Sequence, residues 1–354
     1  MSLISQLLLR RFRCFESFQY EPGPGLNFIV GPNAQGKTSI LEAACVLLRL
    51  RSPRTTTIGE MVRFGEPAFA LEGLVTGREG ETRLSLTVTP PTRALKLDGV
   101  SQGNSSDYLS KARIVWFGSE DLSLVHGSAE GRRKLLDSAG LQIAGTYGRD
   151  LKNYDRALRS RNLLLREGKP RREIEAYDIP LAEAGEAILS ARKALVEALA
   201  PLASDSCRMI SGETLDLTYL PGSSVPMREA LESSRHEEIR LRQTRVGPQR
   251  DDVSIHLNGI PAGSFASEGQ RRTVALALKL ALATLLNLEN GTPPLLLLDD
   301  IFGELDPSRR AALLAGMPCG SQALLSTADL SGITPPEGSR VHRLEGGILR
   351  IIEG

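Results

Sequence analysis

The stretch LNFIVGPNAQGKTSILEAACVLL, residues 26–48, decides the fold. Leu26 to Val30 is an apolar run of strand length, and a helical run begins at Lys37. Between them Gly31, four further residues and then Gly36-Lys37-Thr38 make the pattern G-x-x-x-x-G-K-[ST], in the strand, loop and helix order that confirms it. Gly31 and Gly36 permit backbone conformations that aim consecutive N–H groups inward, and the helix start adds its positive end. Gly31, Pro32, Asn33, Ala34, Gln35, Gly36, Lys37, Thr38 and Ser39 are therefore expected to cradle the phosphates of a nucleotide such as ATP. Lys37 would reach the β and γ oxygens as a point charge, and the Thr38 hydroxyl would face Mg2+.

A phosphate loop of this kind needs a carboxylate beside it. PPLLLLDDIFGELD, residues 293–306, reads as a buried strand that delivers Asp299 at its C-terminal edge. Asp299 is the expected metal-side carboxylate. Asp300, on the other face of the strand, is the expected catalytic group that polarises or takes a proton from the attacking water. The plainer reading is a strand that ends in a turn, where Asp is common.

SEGQRR, Ser267 to Arg272, opens a further helix; 229 residues separate it from Lys37, and it precedes Asp299 by 32 positions. Phosphate loop, Ser-x-Gly-Gln and acidic strand follow one another in the order of ATP-binding-cassette ATPases. Ser267 at a helix start followed by Gly269 is a phosphate-binding arrangement in its own right. Ser267 with Gln270 at the third position equally satisfies a capping box, and the two readings are compatible.

The rest of the sequence places these motifs. At 354 residues the chain exceeds the usual size of one core, so a large domain with an inserted one is expected. TRLSLTVT sets Leu84, Leu86 and Val88 on one face, and RALKLDGV follows the Pro90-Pro91 break as its hairpin partner. From Gly131 the pattern becomes helical, stops at Gly168-Lys169-Pro170, and resumes from about Ile179 to Cys207, without the sustained heptads of a long coiled coil. After Thr244 the alternation of Val253, Ile255 and Leu257 returns the chain to α/β. The expected fold class is thus α/β, with a mixed sheet, an N-terminal antiparallel part and an inserted helical arm. The head would comprise residues 1–125 and 245–354, and the arm residues 126–244.

Formal charge is only +1, which argues against a uniformly basic surface. Residues 149–173 are the local exception, with nine basic and four acidic residues. Such a segment is either a solvated helix face or a phosphate-binding one. Arg156, Arg159, Arg161, Arg166, Lys169, Arg171 and Arg172 are the candidate DNA contacts. No aromatic residues interleave with them in the manner of single-strand platforms, so sequence-independent backbone contact is expected. Four scattered cysteines and four scattered histidines suggest neither a disulfide framework nor a zinc site. The first residues carry the apolar run ahead of the basic ones, the reverse of a secretory signal, and the apolar run Thr273 to Leu288 is interrupted by Lys279, so a cytoplasmic protein is expected.

Taken in order, LLLRRFRCF, GPNAQGKTSILEA, IVWFGSEDLSLVHGSAEGRRKLLD, RVGPQRDDVSI, SEGQRR and LLLLDDIFGELD resemble the RecF family of SMC/Rad50-like bacterial recombination ATPases over essentially the whole chain. The resemblance implies a Rad50-like head and a short helical arm. It also implies binding of ATP, Mg2+ and DNA at gaps or junctions, an ATP-dependent homodimer, and weak DNA-stimulated ATP hydrolysis. Partners implied are RecR and RecO, and indirectly RecA, in gap repair, replication restart and the SOS response. By the same resemblance Ser267, Gly269 and Gln270 form a signature that meets the other subunit's ATP, and Asp306, with Glu304, belongs to a D-loop at that interface. The chain departs from the ATP-binding-cassette pattern in having Asp300 where Glu is usual, Thr327 and Ala328 where a switch histidine would stand, and no glutamine between Trp116 and Leu124; Gln249 stands where the family more often has His. The nucleotide-binding subunit of a membrane transporter shares the ATP motifs, but its signature follows the phosphate loop far sooner. A chromosome-structural SMC protein needs far more coiled coil.

Overall fold

Alternating and continuous apolar runs give this chain two kinds of sheet. The structure is a computed structural model that describes residues 3–77 and 80–353, with the side chains of all of these except Glu304 and Glu353. In chain order the strands are β1 (Leu3–Phe12), β2 (Phe15–Tyr20), β3 (Leu26–Val30), β4 (Phe69–Gly77), β5 (Gly80–Thr89), β6 (Thr92–Leu97), β7 (Val100–Ser101), β8 (Ile114–Phe117), β9 (Leu215–Leu220), β10 (Asp252–Leu257), β11 (Ile260–Pro261), β12 (Leu295–Asp299), β13 (Ala323–Thr327), β14 (Arg340–Glu345) and β15 (Ile348–Glu353). The helices are α1 (Lys37–Arg49), α2 (Ser106–Ser110), α3 (Ser123–His126), α4 (Ala129–Ile143), α5 (Tyr147–Arg166), α6 (Arg171–Glu175), α7 (Asp178–Ser211), α8 (Met227–Ser233), α9 (Arg235–Leu241), α10 (Ala262–Phe265), α11 (Glu268–Asn290) and α12 (Pro307–Gly316).

The alternating strands form a six-stranded sheet in the order β2-β1-β4-β5-β6-β7. Its paired strands are antiparallel, and Leu84, Leu86 and Val88 of β5 are buried as the alternation requires. The continuous apolar strands form a second six-stranded sheet, β15-β14-β3-β13-β12-β8, parallel except at the β15 edge. Strands covered on both faces have no need of a polar side, which is why β12 reads Leu-Leu-Leu-Leu. Helix α1 packs against strands of both sheets, and Ile40, Leu41, Ala43, Ala44, Cys45, Val46, Leu47 and Leu48 are all buried. Each of the Ile, Leu and Val side chains among them contributes about 1.5–3 kcal/mol by leaving water. The buried acid of α1, Glu42, is compensated by two hydrogen bonds from Arg13, at 2.6 and 2.9 Å, and one from Ser52 at 2.5 Å.

The chain divides into two compact units, residues 1–121, 209–211 and 276–354 in one and residues 122–208 and 212–275 in the other. The first holds both six-stranded sheets. The second holds α4, α5, most of α7 and the antiparallel sheet β11-β10-β9. This division differs from the one drawn at residue 244, because β10 pairs along its length with β9, from Asp252 opposite Leu220 to Leu257 opposite Leu215. That ladder ties residues 245–275 to the middle of the chain. In the second unit, Tyr154 and Ala157 of α5 share a core with Leu181, Ala182 and Ile188 of α7. Helix α11 is the one described helix long and apolar enough to cross a bilayer, and 72% of that apolar window is buried inside the fold. Its Lys279 is buried, donating to the Trp116 carbonyl at 2.8 Å and pairing with Asp121 at 2.7 Å.

Candidate nucleotide site

The loop after β3 has glycine where a side chain has no room. A Cβ on Gly31 would stand 2.3 Å from the Leu344 carbonyl oxygen of β14, a backbone atom that cannot step aside. Gly36 has φ +99, and a Cβ there would fall within 3 Å of Phe15 and Cys14. Gly36 is also the N-cap of α1; it offers no capping side chain, and the first turn contains no acid. The first N–H groups of the helix are thus left for an anion. Pro32, Asn33 and Ala34 are exposed at the tip, with Ala34 in the left-handed region at φ 63, while Ser39 is buried on the first turn. The Gln35 side-chain oxygen accepts from the Gly346 N–H at 3.0 Å and ties the loop to the turn between β14 and β15.

Lys37 is buried and folds over its own loop, with Nζ donating to the Gly31 and Pro32 carbonyls at 2.6 and 2.8 Å. Burial pulls its pKa below that of an ordinary lysine, against the opposing pull of the Asp300 and Asp299 carboxylates. The Thr38 hydroxyl donates to Asp299 Oδ1 at 2.8 Å, and the Ser326 hydroxyl donates to the same oxygen at 2.7 Å. Ser326 is brought there by the parallel pairing of β12 and β13, in which Asp299 stands opposite Ser326. Its own oxygen accepts from the Asp300 N–H at 3.0 Å. One hydroxyl therefore orients the carboxylate and the backbone that follows it. Asp299 is pushed above the usual carboxylate range by burial, with the Ser326 and Thr38 hydroxyls pulling it back and Glu120 adding to the rise.

Asp300 is not on the opposite face of a strand. The ladder ends at Asp299, and Asp300 has left-handed φ, 52°, so a turn and not strand alternation sets its direction. Its pKa is raised, by burial first, with Lys37 opposing and Asp299 adding. Two hard oxygens, the Thr38 hydroxyl and the Asp299 carboxylate, are side by side at the start of α1. That donor set fits Mg2+, which takes one or two protein ligands and completes its shell with phosphates and water. Among the described residues no cluster of three or more His, Cys, Asp or Glu could hold a metal by itself.

The region after β8, where a glutamine is missing, offers an acid instead. The Trp116 indole donates to Glu120 at 2.6 Å, and Asp121 accepts from the Gly118 N–H at 3.0 Å. No motif in the sequence marks Glu120 or Ser326. The polar close of the apolar run ALLST includes Ser326, but its pairing with Asp299 is visible only in the sheet.

In the second unit, the capping box at the head of α11 is made. The Ser267 N–H donates to Gln270 Oε1 at 2.9 Å, and the Gln270 N–H donates to the Ser267 hydroxyl at 3.3 Å. Ser267 and Gly269 are not buried. Asp306 is likewise a cap: it starts α12, accepting from the Arg309 N–H at 2.9 Å and the Ser308 hydroxyl at 2.6 Å. The Glu304 side chain expected beside it lies outside the described residues. Gln249 accepts from the Tyr154 hydroxyl in the core of the second unit.

The basic segment divides. Lys152, Arg156, Arg159 and Arg166 are exposed on α5 at spacings of four, three and seven, which is one helical face. Lys169, Arg171 and Arg172 are exposed beyond it, with Arg171 bonded to Glu175 at 2.6 Å and Lys169 near Glu167 at 3.6 Å. Arg161 is a correction to the expected DNA contacts. Its side chain is wholly buried, bonded to Asp178 at 2.9 Å, Glu238 at 2.7 Å and Thr244 at 2.8 Å, so it holds the unit together and faces no phosphate. Removing one partner of such a buried pair costs about 3–5 kcal/mol.

Residues 3–325 match the family model described as the RecF/RecN/SMC N-terminal domain. The chain is 38% identical over 367 residues to the DNA replication and repair protein RecF of Anaeromyxobacter sp., covering 99% of each chain. It is 37% identical over 357 residues to the protein of the same name from Symbiobacterium thermophilum, covering 96% of this chain and 95% of that one. Among solved structures it is similar to one described as the recombination mediator protein RecF with ATP in the RecFOR pathway, at TM-score 0.92 and 30% identity over 99% of this chain and 98% of the other. The Smc head domain of Pyrococcus furiosus shares the fold, at TM-score 0.60 and 17% identity over 99% of this chain and 96% of that one.

Proposed function

The chain belongs to the RecF family, and on that premise we propose that it is an ATP-dependent, DNA-binding recombination mediator. Relatives named for DNA replication and repair, and a similar structure solved with ATP, support the reading. The observation that carries it in this chain is the uncapped first turn of α1 beside the hydrogen-bonded group of Thr38, Asp299 and Ser326.

In this reading the loop from Gly31 to Ser39 holds the β and γ phosphates, and Lys37 exchanges its two carbonyl partners for phosphate oxygens. Thr38 and Asp299 would hold Mg2+, which neutralises charge on the phosphates when bound. Asp300 orients the attacking water and takes its proton, a task suited by a carboxyl whose pKa burial has raised. Asp is one carbon shorter than the usual Glu, consistent with slow hydrolysis. Ser267, Gly269 and Gln270, with Asp306, complete the site of a second copy, so that two chains face head to tail and enclose two ATP molecules. Hydrolysis releases them. The α5 face with Lys169, Arg171 and Arg172 takes the DNA backbone at a gap or junction, with affinity falling steeply as salt rises. RecR and RecO, and through them RecA, are the partners this reading implies inside the cell, with a head built from both ends of the chain and the helical middle as its arm.

Mass in solution tests it. Wild type is expected to shift from monomer to dimer with ATP and Mg2+, and Ser267→Arg to bind nucleotide yet remain a monomer; a wild type that stays monomeric with saturating ATP rejects the in-trans site.

A further inference from the structure

The polar groups at the head of α11 are not all consumed by the cap. Gln270 Nε2 donates to Glu213 Oε1 at 2.7 Å. Glu213 follows Gly212, whose left-handed φ of 74° ends the 34-residue helix α7 with its N–H bonded to the Arg208 carbonyl at 2.8 Å. The same Glu213 oxygen accepts from Asn258 Nδ2 at 3.4 Å. Asn258, in the turn between β10 and β11, is itself stitched to Thr214 by two bonds, from the Thr214 N–H at 2.9 Å and to the Thr214 carbonyl at 2.8 Å. One carboxylate thus joins the end of α7, a hairpin turn and the first turn of α11.

The chemistry of the amide makes this joint directional. Gln270 Oε1 accepts from the Ser267 N–H while Nε2 donates to Glu213. Reversing the amide would set a donor against the Ser267 N–H and an acceptor against a carboxylate, so Glu213 selects the orientation that closes the cap. The geometry points to Glu213 as a positioning residue for the Ser-x-Gly-Gln stretch: it holds Gln270, and through it Ser267, in the arrangement that a second copy's ATP meets. The inference rests on the in-trans reading proposed above.

The test is a cycle of Glu213→Ala, Gln270→Ala and the double variant, with Glu213→Gln as the conservative replacement. Dimer dissociation constants are measured by sedimentation with ATP and Mg2+, alongside monomer affinity for a fluorescent ATP analogue. Glu213→Ala is expected to weaken the dimer about tenfold, the scale of a lost charge-assisted hydrogen bond, with monomer affinity for the analogue unchanged. Glu213→Gln, which keeps a carbonyl acceptor for Gln270 Nε2, is expected to stay within about threefold of wild type. In the Gln270→Ala background the Glu213→Ala effect should vanish. A Glu213→Ala chain that dimerises like wild type, or an effect that persists without Gln270, overturns this inference alone. A wild type that never dimerises with ATP overturns the in-trans reading and this inference with it.

Discussion

Two helices of this chain begin beside glycine, and they are built on opposite plans. Helix α1 starts at a glycine in a conformation few other residues tolerate, with no capping side chain and no acid in its first turn. Helix α11 starts at a serine and a glutamine that cap each other, and Glu268 stands in its first turn. A helix start whose N–H groups are unspent binds an anion strongly; one already capped and carrying a negative charge binds it weakly. The first can hold a triphosphate alone. On the in-trans reading proposed above, the second adds contacts to a phosphate that another chain already holds, and one kind of ATP site then has a use for two phosphate-contacting motifs.

The comparison breaks most severely at Gly31. Gly31→Ala drives a Cβ into the Leu344 carbonyl, so the loop must shift to relieve the clash, and calorimetric titration is expected to show nucleotide affinity down by about a hundredfold or more, equivalent to about 3 kcal/mol. A variant that binds ATP like wild type would mean that the loop gives way freely. Smaller effects are expected around Asp299. Thr38→Val should lower Mg2+-dependent nucleotide affinity by about tenfold, because it removes a hydroxyl proposed to hold the ion, and Ser326→Ala should act in the same direction, because it leaves Asp299 Oδ1 with one hydroxyl instead of two. The readout is the ratio of affinities with and without Mg2+; equal losses in both conditions would contradict the role given to that carboxylate.

The smallest effect belongs to a third helix start, α12, which has an ordinary acidic cap. The Ser308 hydroxyl and then the Arg309 N–H hold the Asp306 carboxyl down to about 2 from its ordinary 3.8. A depressed carboxyl binds fewer protons folded than unfolded, so its contribution is complete above the ordinary value and disappears as pH falls through about 2. Thermal unfolding of wild type and Asp306→Ala should therefore differ by a constant margin from neutral pH to about 4 and converge toward about 2. A margin unchanged at the acid end would show that the charge of Asp306 has no part in the cap.

How much of this was legible in the sequence depended on the distance over which each feature is encoded. The phosphate loop, the acid-bearing strand and the hairpin of β5 and β6 are local: a glycine, an alternation or an apolar run specifies them within a few residues, because backbone sterics and side-chain period act at that range. The capping box of Ser267 and Gln270 was readable for the same reason. The partners of these features were not readable. Ser326 reaches Asp299 across a parallel pairing, Glu213 reaches Gln270 from 57 residues away, and Lys279 finds Asp121 inside the apolar run that it seemed only to interrupt. Arg161 shows the limit most plainly, since by composition it belonged with the basic face of α5 and only packing turned it inward to Asp178 and Glu238. The sequence by itself determined which chemistry this chain carries and in what order. The tertiary structure alone decided which hydroxyls, amides and ions meet, because those contacts depend on strand pairing and helix packing between segments far apart in the chain.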